Sequence, residues 1–321
     1  MGNELKILLI TQGISRIVDP IITSKHEVVG VLESMPRNFS GINSKGIVFE
    51  FIKKTYSILS RREISLRRFC AKKNIPYYFI WKKNSSDAAQ WIREIAPDLI
   101  VVFSMSQLLR RDILSIPPMG AINLHPSYLP SYRGPNPDFW QYCSMELNPG
   151  ATVHYIDLGE DTGDILFQDR LPIPLGTKSP ERLDKLVGGL GVSLLLKSID
   201  AIAEGKVSRL KQSEISPTPR ARNLIPEEHA NIIDWEHWDI EKIWHILRGT
   251  ESWLNAIAQP VGFMAGQRWS IDAYEKIQDG IGRPGDIGRY KGRRCLFVRG
   301  GVIFLSVKFD PKRVVLKFLN K

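Results

Sequence analysis

Gly120-Ala121-Ile122-Asn123-Leu124-His125-Pro126-Ser127-Tyr128-Leu129-Pro130-Ser131-Tyr132-Arg133-Gly134-Pro135 begins as a strand and ends as a stiff loop. Strand alternation puts Ile122 and Leu124 on one side and Asn123 and His125 on the other. Two polar side chains therefore leave one face of a strand end side by side. Pro126, Pro130, Gly134 and Pro135 then stop helix and sheet from continuing. A rigid loop carried on a buried strand is a platform for an active site.

Apolar runs recur on both sides of this stretch. Lys6-Ile7-Leu8-Leu9-Ile10 reads as a buried strand with Thr11-Gln12-Gly13 as its turn, and residues 26–32 as a second strand. A helical pattern over 46–73 leads to a strand at 76–80, and a helix at 87–95 leads to the strongest strand, at 98–103. Another strand covers 150–156. This alternation predicts an α/β fold, a doubly wound and mostly parallel sheet. Sites in such sheets lie beyond the carboxyl ends of the strands, where Asn123 and His125 are expected.

Residues 179–205 read as one long amphipathic helix. Its Gly188-Gly189-Leu190-Gly191 is not a dinucleotide loop, because it lies inside a helical pattern rather than after a strand. From 206 to 235 the chain is polar and proline-bearing, the composition of a linker. Ile240, Ile243, Ile246 and Leu247 then fall at helical spacing. Short strands at 293–298, 301–308 and 314–318 predict a small all-β, OB-like or barrel domain over 236–321. The expected organisation is a catalytic domain over 1–205, a linker and this β-domain.

The 321 residues are 43% hydrophobic and 24% charged, and no apolar run approaches the roughly 20 residues needed to span a bilayer. The opening residues do not read as a secretory signal. Three widely spaced cysteines, Cys70, Cys143 and Cys295, suggest neither a disulfide framework nor a metal cluster. A cytoplasmic protein with no membrane partner is expected. The net charge of +10 is uneven, with ten Lys/Arg against two acids over 36–73 and eleven against two over 283–321. Two such zones either attract phosphates, on a nucleotide or on RNA, or are simply solvated faces.

A second acidic motif, Asp161-Thr162-Gly163-Asp164-Ile165, follows 38 residues after Asn123 in a glycine-rich loop. Asn123-x-His125-Pro126-Ser127-x-Leu129-Pro130-x-x-Arg133-Gly134 together with that loop resembles the formyltransferases that use 10-formyltetrahydrofolate. These include the glycinamide ribonucleotide, methionyl-tRNA and amino-sugar N-formyltransferases. The resemblance covers residues 5–205. It extends more loosely through Ile233-Asp234-Trp235 and Ile246-Leu247-Arg248, which look like the entry to the family's C-terminal β-domain.

The resemblance implies an enzyme with 10-formyltetrahydrofolate as co-substrate and no metal. It makes Asn123 the group that polarises the formyl oxygen, His125 the acid/base or electrostatic partner, and Asp161 its tuner. These residue types suit the chemistry: an amide N–H stabilises an oxyanion, and a near-neutral histidine moves the proton from amine to leaving nitrogen. An adjacent carboxylate favours the protonated ring. Ser106, Gln107, Leu108, Leu109, Ile156 and Asp157 match the walls of the family's folate pocket, though the leucines also fit plain core packing. Gly13, Ser127, Arg133 and His154 are the candidates for acceptor binding. Arg133 equally suits shaping its loop, and His154 equally suits packing.

The acceptor is less legible. An amine on a nucleotide-linked sugar or a similar small amine is one reading, a hydroxyornithine-type amine included. Initiator methionyl-tRNA is another, and a non-enzymatic relative a third, whose signature would be loss of Asn123, His125 or Asp161. The two basic zones and the β-domain fit tRNA. Against it, Pro36-Arg37-Asn38-Phe39-Ser40-Gly41 lacks the glycine-rich basic loop of the tRNA enzymes, and His154 sits where the sugar enzymes favour histidine. The reading taken forward is a small, nucleotide-linked amine. The β-domain is left to grip a substrate, dimerise or pack.

Overall fold

The computed structural model describes residues 4–35, 65–80, 86–105, 108–278, 281–310 and 313. Ser106, Gln107, the zone over 36–64 and the strand expected at 314–318 lie outside them. The chain divides into two compact units. The first comprises residues 1–135, 149–171 and 183–220, and the second 136–148, 172–182 and 221–321.

The first unit is built on seven strands: β1 (Lys6–Thr11), β2 (Glu27–Ser34), β3 (Tyr77–Ile80), β4 (Leu99–Phe103), β5 (Ala121–His125), β6 (Gly150–Tyr155) and β7 (Ile165–Arg170). Their order is β3-β2-β1-β4-β5-β6-β7. The first five are parallel, while β6 and β7 run antiparallel to their neighbours. The strand expected at 150–156 is thus present but reversed. β7 does not read as a strand in the sequence, because Gln168, Asp169 and Arg170 interrupt its apolar run.

Both faces of the sheet are covered, so its central strands read as unbroken apolar runs rather than as alternating ones. Ile7, Leu9, Leu99, Val101, Ile122, Leu124 and Val153 pack on one face against Leu195, Ile199 and Ile202 of the helix Val192–Ala203. Leu8, Ile10, Ile100, Val102 and Ala121 pack on the other against Ala88, Ala89 and Ile92 of the helix Ser86–Ile95. Full burial of side chains such as Leu195 and Ile199 stabilises by roughly 1.5–3 kcal/mol each. The described part of the helix expected over 46–73 is Leu66–Lys72, started by the Ser65 hydroxyl accepting the Arg68 N–H.

Just before Val192–Ala203 the backbone runs as a π-helix over Asp184–Gly191, which holds the glycines read above as helical. A Cβ on Gly191 would lie 3.1 Å from the Leu124 methyls and 3.0 Å from the Leu186 carbonyl oxygen. Glycine there lets the chain close directly on the back of β5. The helical stretch Ser179–Ala203 is long and apolar enough by composition to cross a membrane. Its apolar side chains Leu186, Val187, Leu194, Leu195, Ile199 and Ile202 are buried in protein.

The second unit holds a four-stranded antiparallel sheet of β8 (Trp269–Lys276), β9 (Ile287–Tyr290), β10 (Arg293–Val298) and β11 (Gly301–Val307), in the order β8-β11-β10-β9. Ile271, Leu296, Val298, Ile303 and Leu305 of the sheet pack with Ile240, Ile243, Ile246 and Leu247 of the helix Ile240–Thr250. The periodic isoleucines of the sequence are therefore the seam of this core.

Candidate active site

β5 faces the helix Val192–Ala203 through Ile122 and Leu124, which leaves Asn123 and His125 on the opposite face. The antiparallel register sets His154 of β6 directly across from Asn123 and Thr152 across from His125. The Asn123 amide nitrogen lies 3.2 Å from His154 Nε2, and His154 Nδ1 lies 2.8 Å from the Tyr155 carbonyl oxygen. A carbonyl only accepts, so Nδ1 carries the proton and Nε2 accepts from the amide. Asn123 is thereby oriented with one amide N–H still to donate.

The loop after β5 is welded in place. The Ser127 hydroxyl donates to the Ser131 carbonyl at 2.7 Å, and the Thr152 hydroxyl donates to the Ser127 carbonyl at 2.7 Å. The Tyr132 N–H donates to Thr218 Oγ1 at 2.6 Å, and the Tyr132 carbonyl accepts from His125 Nε2 at 3.1 Å. His125 Nδ1 is left to face Asp161. Arg133 is buried, and its guanidinium donates to Gln212 Oε1 (2.8 Å) and to the Ser213 (2.7 Å) and Glu214 (3.2 Å) carbonyls. Arg133 therefore shapes the loop, one of the two roles open for it in the sequence.

Asp161 stands between the two histidines. Its Oδ2 is 3.6 Å from His125 Nδ1 and its Oδ1 is 3.6 Å from His154 Nε2. These separations are too long for hydrogen bonds and short enough for strong charge interaction in a buried site. Burial works against the carboxylate charge, while the positive charge that His125 and His154 carry when protonated, together with the Gly134 N–H that donates to Oδ2 at 2.9 Å, draws Asp161 below the usual carboxylate range. Burial also holds His125 below the ordinary imidazole value, although Asp161 pulls the other way.

The loop carrying Asp161 is tightly built. Asp157 Oδ1 accepts from the Gly159 N–H at 3.0 Å and the Thr162 hydroxyl at 2.7 Å. A Cβ on Gly163 would lie 1.9 Å from the Tyr155 carbonyl oxygen, so only glycine fits that passage. Asp161 itself adopts φ +55°, in the left-handed region.

Asn123, His154, Asp161, Leu108, Leu109, Ile156 and Asp157 all line one cavity of about 90 Å³. Ile156 and Asp157 also border a second cavity of about 710 Å³, whose other walls include Leu114, Met119, Ala121, Tyr155, Arg209 and Lys211. The structure thus gathers every described candidate for the folate walls around Asn123 and Asp161. Gly13 lies in the turn after β1, two strands from β5, and Ser127 is fully buried with its hydroxyl engaged. His154 is likewise buried with both ring nitrogens engaged. Nothing in the sequence singles out Gln212, which touches both the Arg133 loop and the Asp161 loop. It lies in a polar, aperiodic stretch that offers no local signal.

Comparison with known proteins bears on this arrangement. Residues 14–199 match the family model described as formyl transferase. A methionyl-tRNA formyltransferase of Alkaliphilus oremlandii is 30% identical over 292 residues, covering 91% of this chain and 86% of that protein. One of Syntrophus aciditrophicus is 32% identical over 225 residues, covering 69% of each. Among solved structures, HypX from Aquifex aeolicus in complex with tetrahydrofolic acid superposes with a TM-score of 0.59 at 14% identity, over 99% of this chain and 48% of its own. The chain thus spans about half the length of HypX. WlaRD, a sugar 3N-formyl transferase, superposes with a TM-score of 0.57 at 18% identity, over 96% of this chain and 100% of its own. At such identities these two structures bear on the fold. On the match over more than half its length and on its relatives, the chain belongs to the formyl transferase family.

Proposed function

We propose that the protein transfers the formyl group of 10-formyltetrahydrofolate to a primary amine carried on a nucleotide-linked amino sugar or a similar small molecule. The observation that carries the reading is Asp161 held between His125 and His154, with the amide of Asn123 beside them on the cavity wall. The larger cavity, within the roughly 300–1,000 Å³ usual for small-molecule sites, takes the pterin, with Ile156 and Asp157 leading to the reacting centre. The remaining N–H of Asn123 donates to the formyl oxygen, where negative charge develops as the amine attacks. His125, neutral before reaction, accepts the proton released by the amine and returns it to N10 as the carbon–N10 bond breaks. Asp161 stabilises the imidazolium during that interval, directly or through a bridging water in the 3.6 Å gap.

The departure at residues 36–41 and the histidine at 154 support a small acceptor. A second reading, initiator methionyl-tRNA, is supported by the names of the relatives at 30–36% identity and by a basic hairpin. Arg283, Arg289, Arg293, Arg294 and Arg299 are all exposed around β9 and β10. Tetrahydrofolate release, followed with charged initiator tRNA and with a panel of nucleotide-linked amino sugars side by side, separates the two. Turnover with an amino sugar alone is the expected result. Turnover with tRNA alone would replace the first reading by the second, and no turnover with any amine would remove both.

A further inference from the structure

We propose that Gln212 is a positioning residue for Asp161 and that residues 209–220 form a brace for the catalytic loops. The proposal rests on the functional reading above only in placing Asp161 at the reacting centre.

Gln212 is buried, and each of its side-chain atoms capable of hydrogen bonding is used. Nε2 donates to the Asp161 carbonyl at 3.0 Å and to the Gly163 carbonyl at 2.6 Å. Oε1 accepts from Arg133 Nη2 at 2.8 Å and from Nε at 3.3 Å. One amide thus ties the loop that carries Asp161 to the loop whose Tyr132 carbonyl holds His125. These are the two pieces of backbone that fix the separation between Asp161 and His125. Asp161 sits in the left-handed region, which aspartate enters more readily than most residues but still at some cost, and the two bonds from Gln212 Nε2 hold its loop there.

Neighbouring residues show that the segment is itself anchored. Leu210 makes a reciprocal backbone pair with Ile165 at the start of β7, at 2.8 and 2.9 Å. Ser216 Oγ donates to the Pro130 carbonyl at 2.9 Å, and Thr218 Oγ1 accepts the Tyr132 N–H. Arg220 forms a two-point pair with Glu160, the residue before Asp161. The segment therefore touches the β7 edge, the proline loop and the acidic loop in turn. Gln212 is the one side chain in it that bonds to both loops through hydrogen bonds of its own.

The test uses the full chain with Gln212→Ala and Gln212→Glu. Glutamate keeps the shape and the Arg133 contact but has no N–H to offer the two carbonyls. Both variants are expected to lose up to about 10²-fold in kcat, with KM for the formyl donor little changed. In Gln212→Ala, which adds no charge, the limb of the pH–rate profile that reports His125 is expected to move to lower pH as the Asp161 carboxylate drifts away. Backbone amides over residues 158–164 are expected to exchange with deuterium faster in both variants. Wild-type kcat in Gln212→Glu, or a loss confined to KM, would overturn the proposal. A wild-type protein inactive on every amine would remove the functional reading, and the exchange measurement would still decide the brace: unchanged protection over 158–164 overturns it.

Discussion

Asp161→Asn is expected to lower kcat for formyl transfer by about 10³-fold, within the 10²–10⁴ range of acid–base contributions. The substitution is nearly isosteric. Asparagine tolerates the left-handed backbone that Asp161 adopts, and its carbonyl oxygen can still accept the Gly134 N–H. What it removes is the charge 3.6 Å from each histidine. Without it the imidazolium formed when His125 takes the amine proton has no counter-ion in a buried site. The direction of the pH effect follows from the same charges. Burial already holds His125 below its ordinary value and Asp161 opposes that shift. Removing the carboxylate moves the His125 limb of the kcat profile further toward acid. Steady-state rates from acid to neutral pH check both parts. A kcat within threefold or so of wild type, or a limb moving toward alkaline pH, would contradict the assigned role.

Asn123→Ala is the second large effect. The change removes the amide N–H proposed to donate to the formyl oxygen and leaves His154 Nε2 without its donor. A single oxyanion donor is worth about 10²–10³ in kcat, and that loss is expected here. Donor affinity should change little, because Ile156, Asp157 and the other walls of the larger cavity proposed for the pterin are untouched. Equilibrium binding of 5-formyltetrahydrofolate, measured beside kcat, separates the two effects. A variant that loses affinity and rate in equal proportion would show that Asn123 binds substrate and transition state alike.

The sheet was largely legible because its central strands are buried on both faces and so read as unbroken apolar runs. Asn123 and His125 were legible because strand alternation and the prolines after them act locally. Asp161 was not, since a glycine-rich acidic loop has no distinctive period; the motif resemblance supplied it. The pairing of Asn123 with His154 depends on β6 running antiparallel to β5, and strand periodicity carries no direction. Gln212 was the least accessible. Its partners lie 51 and 79 residues away in sequence, and nothing local distinguishes it from neighbouring polar residues. Long-range hydrogen bonds of this kind belong to the tertiary structure alone.

His125, framed by Tyr132 and Asp161, is proposed to move the proton during formyl transfer. Single-turnover transfer from labelled 10-formyltetrahydrofolate to an accepted amine, by wild type and by His125→Ala, tests it most directly. The expected result is acceptor-dependent transfer by wild type and a rate lower by about 10³-fold in the variant, with the donor still bound. Transfer at the wild-type rate by His125→Ala would contradict a proton-moving role for His125.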